Sequence, residues 1–327
     1  MRNSQTDIFE ENALIGEMKM NIFDLHCDTV TRAHDRGLEL DNEILNIKVT
    51  DKIDGKYCQC FAIFCPDELR GESAYQYYCD NRDFFYSQMN KFENRITPVQ
   101  NKEDISKIND FGKKAGILTV EGGSAIAGSI EKLYSLQNDG VKMMTLTWNG
   151  ENEIGCGSSN QEFHLKPFGI RVVKEMEKLG MQIDVSHLSD AGFYDVVDNT
   201  DCPIVASHSN TRKLCGHRRN LTDDQFKIIV ERNGLVGINF YKDFIEDNGD
   251  AKVEKLIEHI YHMLELGGEK TICLGSDYDG CDVVKGIENQ TSLDFLYEKM
   301  LEKGINKETV DDIFWNNAYA FFQKRLK

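Results

Sequence analysis

Five stretches of the chain end in residues that bind metals or move protons: Leu25-His26-Cys27-Asp28, Val120-Glu121-Gly122-Gly123, Asp184-Val185-Ser186-His187, Val205-Ala206-Ser207-His208 and Gly275-Ser276-Asp277-Tyr278-Asp279-Gly280. In an extended strand residues i and i+2 share a face, so His26 and Asp28 point the same way and Cys27 points to the other side. An imidazole beside a carboxylate is half of a metal site. Singly, each stretch has a plainer explanation: a strand-end His bonded to an Asp, a hydrogen-bonded Ser-His, a Glu opening a Gly-Gly turn. As a set they resist it, because buried charges are costly unless paired or metal-bound. Three imidazoles with two or three carboxylates exceed what one tetrahedral zinc needs, whereas two metals sharing a bridging carboxylate would use them all. A pair of that kind lowers the pKa of a bridging water and polarises a carbonyl under attack, so the chemistry is hydrolysis.

These residues need a scaffold that brings them to one place. Strand-like runs fall at Ile22–His26, Cys58–Phe64, Gly116–Val120, Lys142–Thr147, Gln182–Ser186, Ile204–Ser207, Leu235–Asn239 and Thr271–Gly275. Between most of them lie segments of helical periodicity, among them Pro167–Leu179, Asp190–Asp198, Asp223–Arg232 and Val253–Leu266. Alternation of this kind predicts an α/β fold, and eight strands predict a (β/α)8 TIM barrel, whose strand C-termini converge on one mouth where active sites are built. A doubly wound open sheet would carry a glycine-rich phosphate turn after its first strand; here that strand runs into His26 and Asp28. No linker divides the chain, so residues 21–327 read as one barrel domain behind an N-terminal extension, residues 1–20, with Met18 or Met20 as alternative starts. The acidic stretch Asp41–Lys56 reads as a loop with surface strands or a short helix.

Composition narrows the partners. At 327 residues with a net charge of −17, the chain would be repelled by nucleic acid and by an anionic membrane surface. The polar N-terminus lacks the apolar stretch of a signal peptide, which points to the cytoplasm. The ten cysteines are scattered, and in a reducing compartment most are expected as buried thiols. The densest group, Cys58, Cys60 and Cys65, lacks the second pair of a zinc ribbon and reads as core packing.

His26-x-Asp28, Glu121-Gly122-Gly123, His187, His208, the run His217-Arg218-Arg219-Asn220-Leu221 and Gly275-Ser276-Asp277-Tyr278-Asp279-Gly280 resemble, in the same order, the motifs of the membrane (renal) dipeptidase family of zinc peptidases, in its bacterial form. The resemblance runs from Asn21 to about Phe322 and implies the metallo-dependent hydrolase type of barrel. It further implies two Zn2+ per chain, one on His26 and Asp28, the other on His187 and His208, with Glu121 bridging them. Arg219 would bind the terminal carboxylate of a dipeptide, a role that suits its planar charged fork. Asp277 would touch substrate and carry a proton to the leaving amine. Substrates with a C-terminal D-residue and a homodimer are also family traits.

The fourth strand departs from vertebrate members, which carry a His where Trp148-Asn149-Gly150 follows Thr147. Trp148 and Asn149 are therefore candidate substrate contacts, the indole N–H being able to donate a hydrogen bond. Another metal-dependent amidohydrolase, such as a deaminase, lactonase or acyl-amino-acid hydrolase, is the main rival, and a non-catalytic member is the second. Glu121 in place of a bridging lysine, and Arg219 after His208, favour the dipeptidase. Plainer roles are expected elsewhere: His259 and His262 on a solvated helix face, His34 and His164 in loops or helix starts, Arg218 and Asp279 as ion pairs or turn caps at the rim. The aromatic run Tyr75–Tyr86 reads as a helix packed on the barrel.

Overall fold

The computed structural model describes residues 19–109 and 113–326; residues 1–18 of the expected extension lie outside them. Among the described residues there are nine parallel strands: β1 (Ile22–Cys27), β2 (Tyr57–Phe64), β3 (Ile96–Pro98), β4 (Lys114–Glu121), β5 (Met143–Thr145), β6 (Gln182–Asp184), β7 (Ile204–Ala206), β8 (Leu235–Ile238) and β9 (Ile272–Leu274). Eight of them close into a barrel in the order β1-β2-β4-β5-β6-β7-β8-β9, with β9 returning to β1. The eight expected strands are these eight. The ninth, β3, pairs only with the first residues of β4 and was too short to register in the sequence pattern.

Two apolar clusters show which way the strands face. Phe23, Leu25, Cys58, Cys60, Ile117, Met143, Val205, Leu235 and Cys273 meet in one cluster. Residues from seven strands around a ring can meet only inside it, so this is the barrel interior. Trp315 and Phe322 close its lower end, Phe322 stacking on Phe23 at 5.3 Å between centroids. The other cluster lies between the strands and the surrounding helices and holds Cys27, Phe61, Ile63, Leu118, Val120 and Ile183. The helices obey their local signals. Pro167 occupies the first turn of Pro167–Leu179 and Gly180 ends it in the left-handed region at φ 75°, while Thr222 and Gln225 form a capping box before Asp223–Glu231. The aromatic run lies in helix Glu72–Lys91, with Tyr78 and Phe85 buried.

Several expectations are corrected. Asp41–Lys56 contains neither strand nor helix; it is a run of turns whose Leu45, Ile47 and Val49 are buried in the outer core. His259 is fully buried and not on a solvated face: its Nδ1 accepts from the Thr211 N–H at 3.2 Å and its Nε2 donates to the Ile245 carbonyl at 2.9 Å. His262 is half-buried against Asp223 at 2.8 Å, and His34 lies in the last turn of helix Thr29–Arg36. Strands β6 and β7 stop short of their expected ends because the Asp184 carboxylate takes the N–H groups of Ser186 and Ser207 at 2.9 and 3.0 Å. A side chain has replaced the ladder there.

Candidate metal centre

The first strand does not simply alternate. Asp24 pairs with Gln59 but Cys27 pairs with Phe61, so three steps on β1 face two on β2. Without this bulge Cys27 would share the inward face of Phe23 and Leu25; with it, Cys27 falls in the outer cluster and His26 turns toward the mouth. The Asp24 carboxylate accepts the His26 N–H at 3.2 Å. Asp28 then opens helix Thr29–Arg36 as its N-cap residue.

Glu121 is the last residue of β4, in register with Phe64 on one side and Thr145 on the other. Gly122 follows at φ 101°, where a Cβ would lie 2.9 Å from the Cys65 carbonyl oxygen, so the turn requires glycine. His187, Asp277 and Asp279 are non-glycine residues at φ 68°, 62° and 67°. A left-handed backbone at such residues costs about 1–3 kcal/mol each and persists where the surroundings hold it. Gly280 leaves room for the carboxylates: a Cβ there would stand 2.1 Å from Asp28 Oδ2 and 2.6 Å from Asp277 Oδ1.

The side chains converge at the mouth of the barrel. Around His26 Nε2 stand Glu121 Oε2 at 3.4 Å, Asp28 Oδ2 at 3.5 Å and Asp277 Oδ1 at 3.9 Å. On the far side, Glu121 Oε1 lies 2.8 Å from His187 Nε2 and 3.7 Å from His208 Nε2, and those two nitrogens are 2.9 Å apart. Among the described residues, Glu121 is thus the carboxylate with one oxygen toward each side. His26 and His208 stack at 3.8 Å. All six residues are at most 9 % exposed.

This set fits a cation. His26 Nε2 and Asp28 Oδ1 are buried without a hydrogen-bond partner. His187 Nδ1 is bonded to Asn149 Oδ1 at 3.0 Å and His208 Nδ1 to Ser207 Oγ at 2.8 Å. The amide oxygen only accepts, so His187 carries a proton on Nδ1, and the neutral ring turns its Nε2 lone pair toward Glu121. Electron pairs crowded at these distances need a positive charge among them. The electrostatics agree. Burial and the neighbouring Glu121 push the Asp28 carboxyl up to about 7. Burial also opposes charge on Glu121, yet the positive charge of His187 and His26, when these are protonated, holds it well below the carboxylate range, a place a cation would take among neutral rings. Burial, with His26 and Arg219, keeps His208 well below the usual imidazole value.

Arg219 is 5 % exposed, and its buried Nε has no hydrogen-bond partner. Its Nη2 donates to the His208 carbonyl at 3.1 Å and its Nη1 to Ser209 Oγ at 3.3 Å, with the Phe244 ring 5.3 Å below. Burial pushes its pKa down to about 10. A buried guanidinium bonded only to neutral groups is a place for an anion. Trp148, Asn149, Asp277 and Phe244 line the mouth, a pocket of about 740 Å³, and Trp148 stands edge-on to Phe64 at 5.0 Å. Asp279 is a cap and ion-pair partner, accepting from Thr29 Oγ1 at 2.6 Å and the Asn46 N–H at 3.0 Å, with Arg32 at 3.7 Å. Arg218 is exposed. Asp24, Asp184, Ser207 and Ser276 carry no ligand signal of their own in the sequence and become visible only through their contacts.

A parallel barrel with imidazoles and carboxylates gathered at its C-terminal mouth defines a hydrolase of the metal-dependent kind. The chain belongs to the membrane dipeptidase family, peptidase family M19, whose family model matches residues 11–324. An uncharacterized dipeptidase of Schizosaccharomyces pombe is 31 % identical over 244 residues, covering 72 % of this chain and 59 % of that protein. An uncharacterized protein from the pqqA 5′ region of Klebsiella pneumoniae is 30 % identical over 225 residues, 65 % of this chain and 83 % of that one. Among solved structures, an M19 metallopeptidase described as dipeptidase AC superposes with a TM-score of 0.88 at 25 % identity, over 94 % of this chain and 99 % of its own. A Rhodobacter sphaeroides metallopeptidase, crystallised with a phosphinate mimic of L-Ala-D-Ala, shares the fold at TM-score 0.88 and 24 % identity, over 94 % and 100 %. The protein is accordingly a dipeptidase of a metal-dependent family. No described helix is long and apolar enough to cross a membrane.

Proposed function

We propose that the protein is a binuclear zinc dipeptidase, with one ion on His26 and Asp28, a second on His187 and His208, and Glu121 shared between them. The observation that carries this reading is Glu121, whose Oε2 lies toward His26 and whose Oε1 lies toward His187 and His208, in donor sets that share His26. When bound, such ions activate water near neutral pH and polarise the scissile carbonyl. The chain's own residues do the rest. Arg219 anchors the terminal carboxylate beside the His208 backbone, which fixes how far the scissile bond lies from the centre and so favours two-residue substrates. Asp277 is held through Oδ2 by Asn239 Nδ2 at 3.0 Å. Its Oδ1 faces the His26 side, placed to pass a proton to the departing amine. Trp148 walls the pocket beside His187, with its indole N–H as a donor to substrate. The L-Ala-D-Ala mimic carried by the Rhodobacter sphaeroides metallopeptidase supports a C-terminal residue of D configuration among the substrates. All ten cysteines stand as thiols, which favours a reducing, cytoplasmic home.

Zinc-loaded protein is expected to cleave L,L and L,D dipeptides, to lose turnover in chelator, and to act poorly on tripeptides and on dipeptide amides. Arg219→Lys should raise KM about 10- to 100-fold with little change in kcat, since it removes a planar charge-assisted contact worth about 1.5–3 kcal/mol. Intact dipeptides alongside hydrolysis of an N-acyl amino acid or a lactone would overturn the assignment.

A further inference from the structure

The Asp184 carboxylate lies beneath the His187/His208 group and is saturated. Oδ1 accepts from the Ser186 and Ser207 N–H groups at 2.9 and 3.0 Å, and Oδ2 accepts from Thr145 Oγ1 and Ser207 Oγ, both at 2.5 Å. These four donors occupy its lone pairs. Ser207 has one hydroxyl proton, and Asp184 takes it. Ser207 Oγ also lies 2.8 Å from His208 Nδ1, so in that contact the serine oxygen accepts and the imidazole must donate. His208 is thereby left with its lone pair on Nε2, the atom that faces Glu121 and His187. The Ser207 N–H bond and the Ser186 Oγ bond to the His208 N–H at 3.1 Å hold the backbone while the ring is set.

We propose that Asp184, acting through the Ser207 hydroxyl, is a positioning residue that fixes the His208 tautomer and so sets the affinity of the His187/His208 half of the centre for its metal. The proposal rests on the binuclear reading above. It separates two hydroxyls that share one carboxylate oxygen: Ser207 lies on the route to a ligand ring, whereas Thr145 contributes only a strand-to-strand bond. In Asp184→Asn the amide would donate to Ser207, turn its proton toward His208 and leave the imidazole with the wrong tautomer.

The test is titration of metal-free protein with zinc against a chromophoric chelator, with thermal midpoints recorded for each variant. Wild-type protein should take up two ions. Ser207→Ala should weaken one of them about 10- to 100-fold, the usual cost of losing a bond behind a ligand, and leave the other unchanged. Thr145→Val should lower the thermal midpoint and leave both affinities unchanged. Asp184→Asn, if it folds, should match or exceed Ser207→Ala, and the serine and threonine pair decides the matter if it does not. Two ions in the wild type with unchanged affinities in Ser207→Ala, or equal weakening by Ser207→Ala and Thr145→Val, would overturn the proposal alone. Fewer than two ions in the wild type would overturn the binuclear reading and this proposal with it.

Discussion

The two halves of the centre are built on the same device used to different ends. At the β1–β9 seam, Asp24 accepts from the N–H of residue i+2, His26, and from the N–H and hydroxyl of Ser276 on the neighbouring strand end, at 3.2, 3.0 and 2.5 Å. At the β6–β7 seam, Asp184 accepts from the N–H of residue i+2, Ser186, and from the N–H and hydroxyl of Ser207. In both, the residue after the bridging serine enters the site, Asp277 in one and His208 in the other. The difference lies in what the serine does next. Ser276 Oγ goes on to accept the Tyr278 N–H at 3.3 Å, shaping backbone, whereas Ser207 Oγ meets the His208 ring. One half is braced through the main chain and the other through a proton position, so equal chemistry at the ends of strands need not fail in equal ways.

The strongest way to break the comparison is to remove what the halves share. Glu121→Gln should cost both ions and lower kcat/KM about a thousandfold or more, because the several kcal/mol supplied by a metal convert at about 1.4 kcal/mol per tenfold; metal content and kinetics measured together check this. Gly280→Ala should act on the first half alone. Its methyl group would meet Asp28 and Asp277, and an overpacking cost of about 1–3 kcal/mol should weaken one zinc about 10- to 100-fold while the ion on His187 and His208 stays. Loss of both ions to the same degree would mean that the halves are not separable.

The smallest effect on turnover at neutral pH falls outside both halves, on the loop that carries Arg219. His259 holds that loop in its neutral form, and burial pushes its pKa down to about 4. The unfolded chain binds a proton at the ordinary value near 6.5 and the folded chain does not, so stability is full above that value. It declines as pH falls toward 4, by up to about 3 kcal/mol. His259→Gln keeps an acceptor and a donor without titrating. It should flatten this part of the pH–stability curve, as followed by urea unfolding between pH 4 and 7; an unchanged slope would show that His259 does not titrate in this range.

Much of the barrel was legible from local pattern. Eight strands and the helix Pro167–Leu179 appear where periodicity, a first-turn proline and a terminal glycine place them, because those signals act within a few residues. Asp41–Lys56 failed for the opposite reason: its apolar residues are buried by long-range packing and follow no period. His259 shows the same limit, since an imidazole on an amphipathic helix looks solvated until Thr211 and Ile245 arrive from other elements.

The sequence by itself determined the imidazoles and carboxylates available to hold a metal and their order along the chain, both of which follow from residue type. Only the tertiary structure decided that a bulge turns His26 toward the mouth, that His187 and Asp277 adopt left-handed backbone, and that Asp24 and Asp184 stand behind His26 and His208. Those features depend on pairings between distant strands, where a buried donor must find its acceptor wherever closure of the barrel brings one.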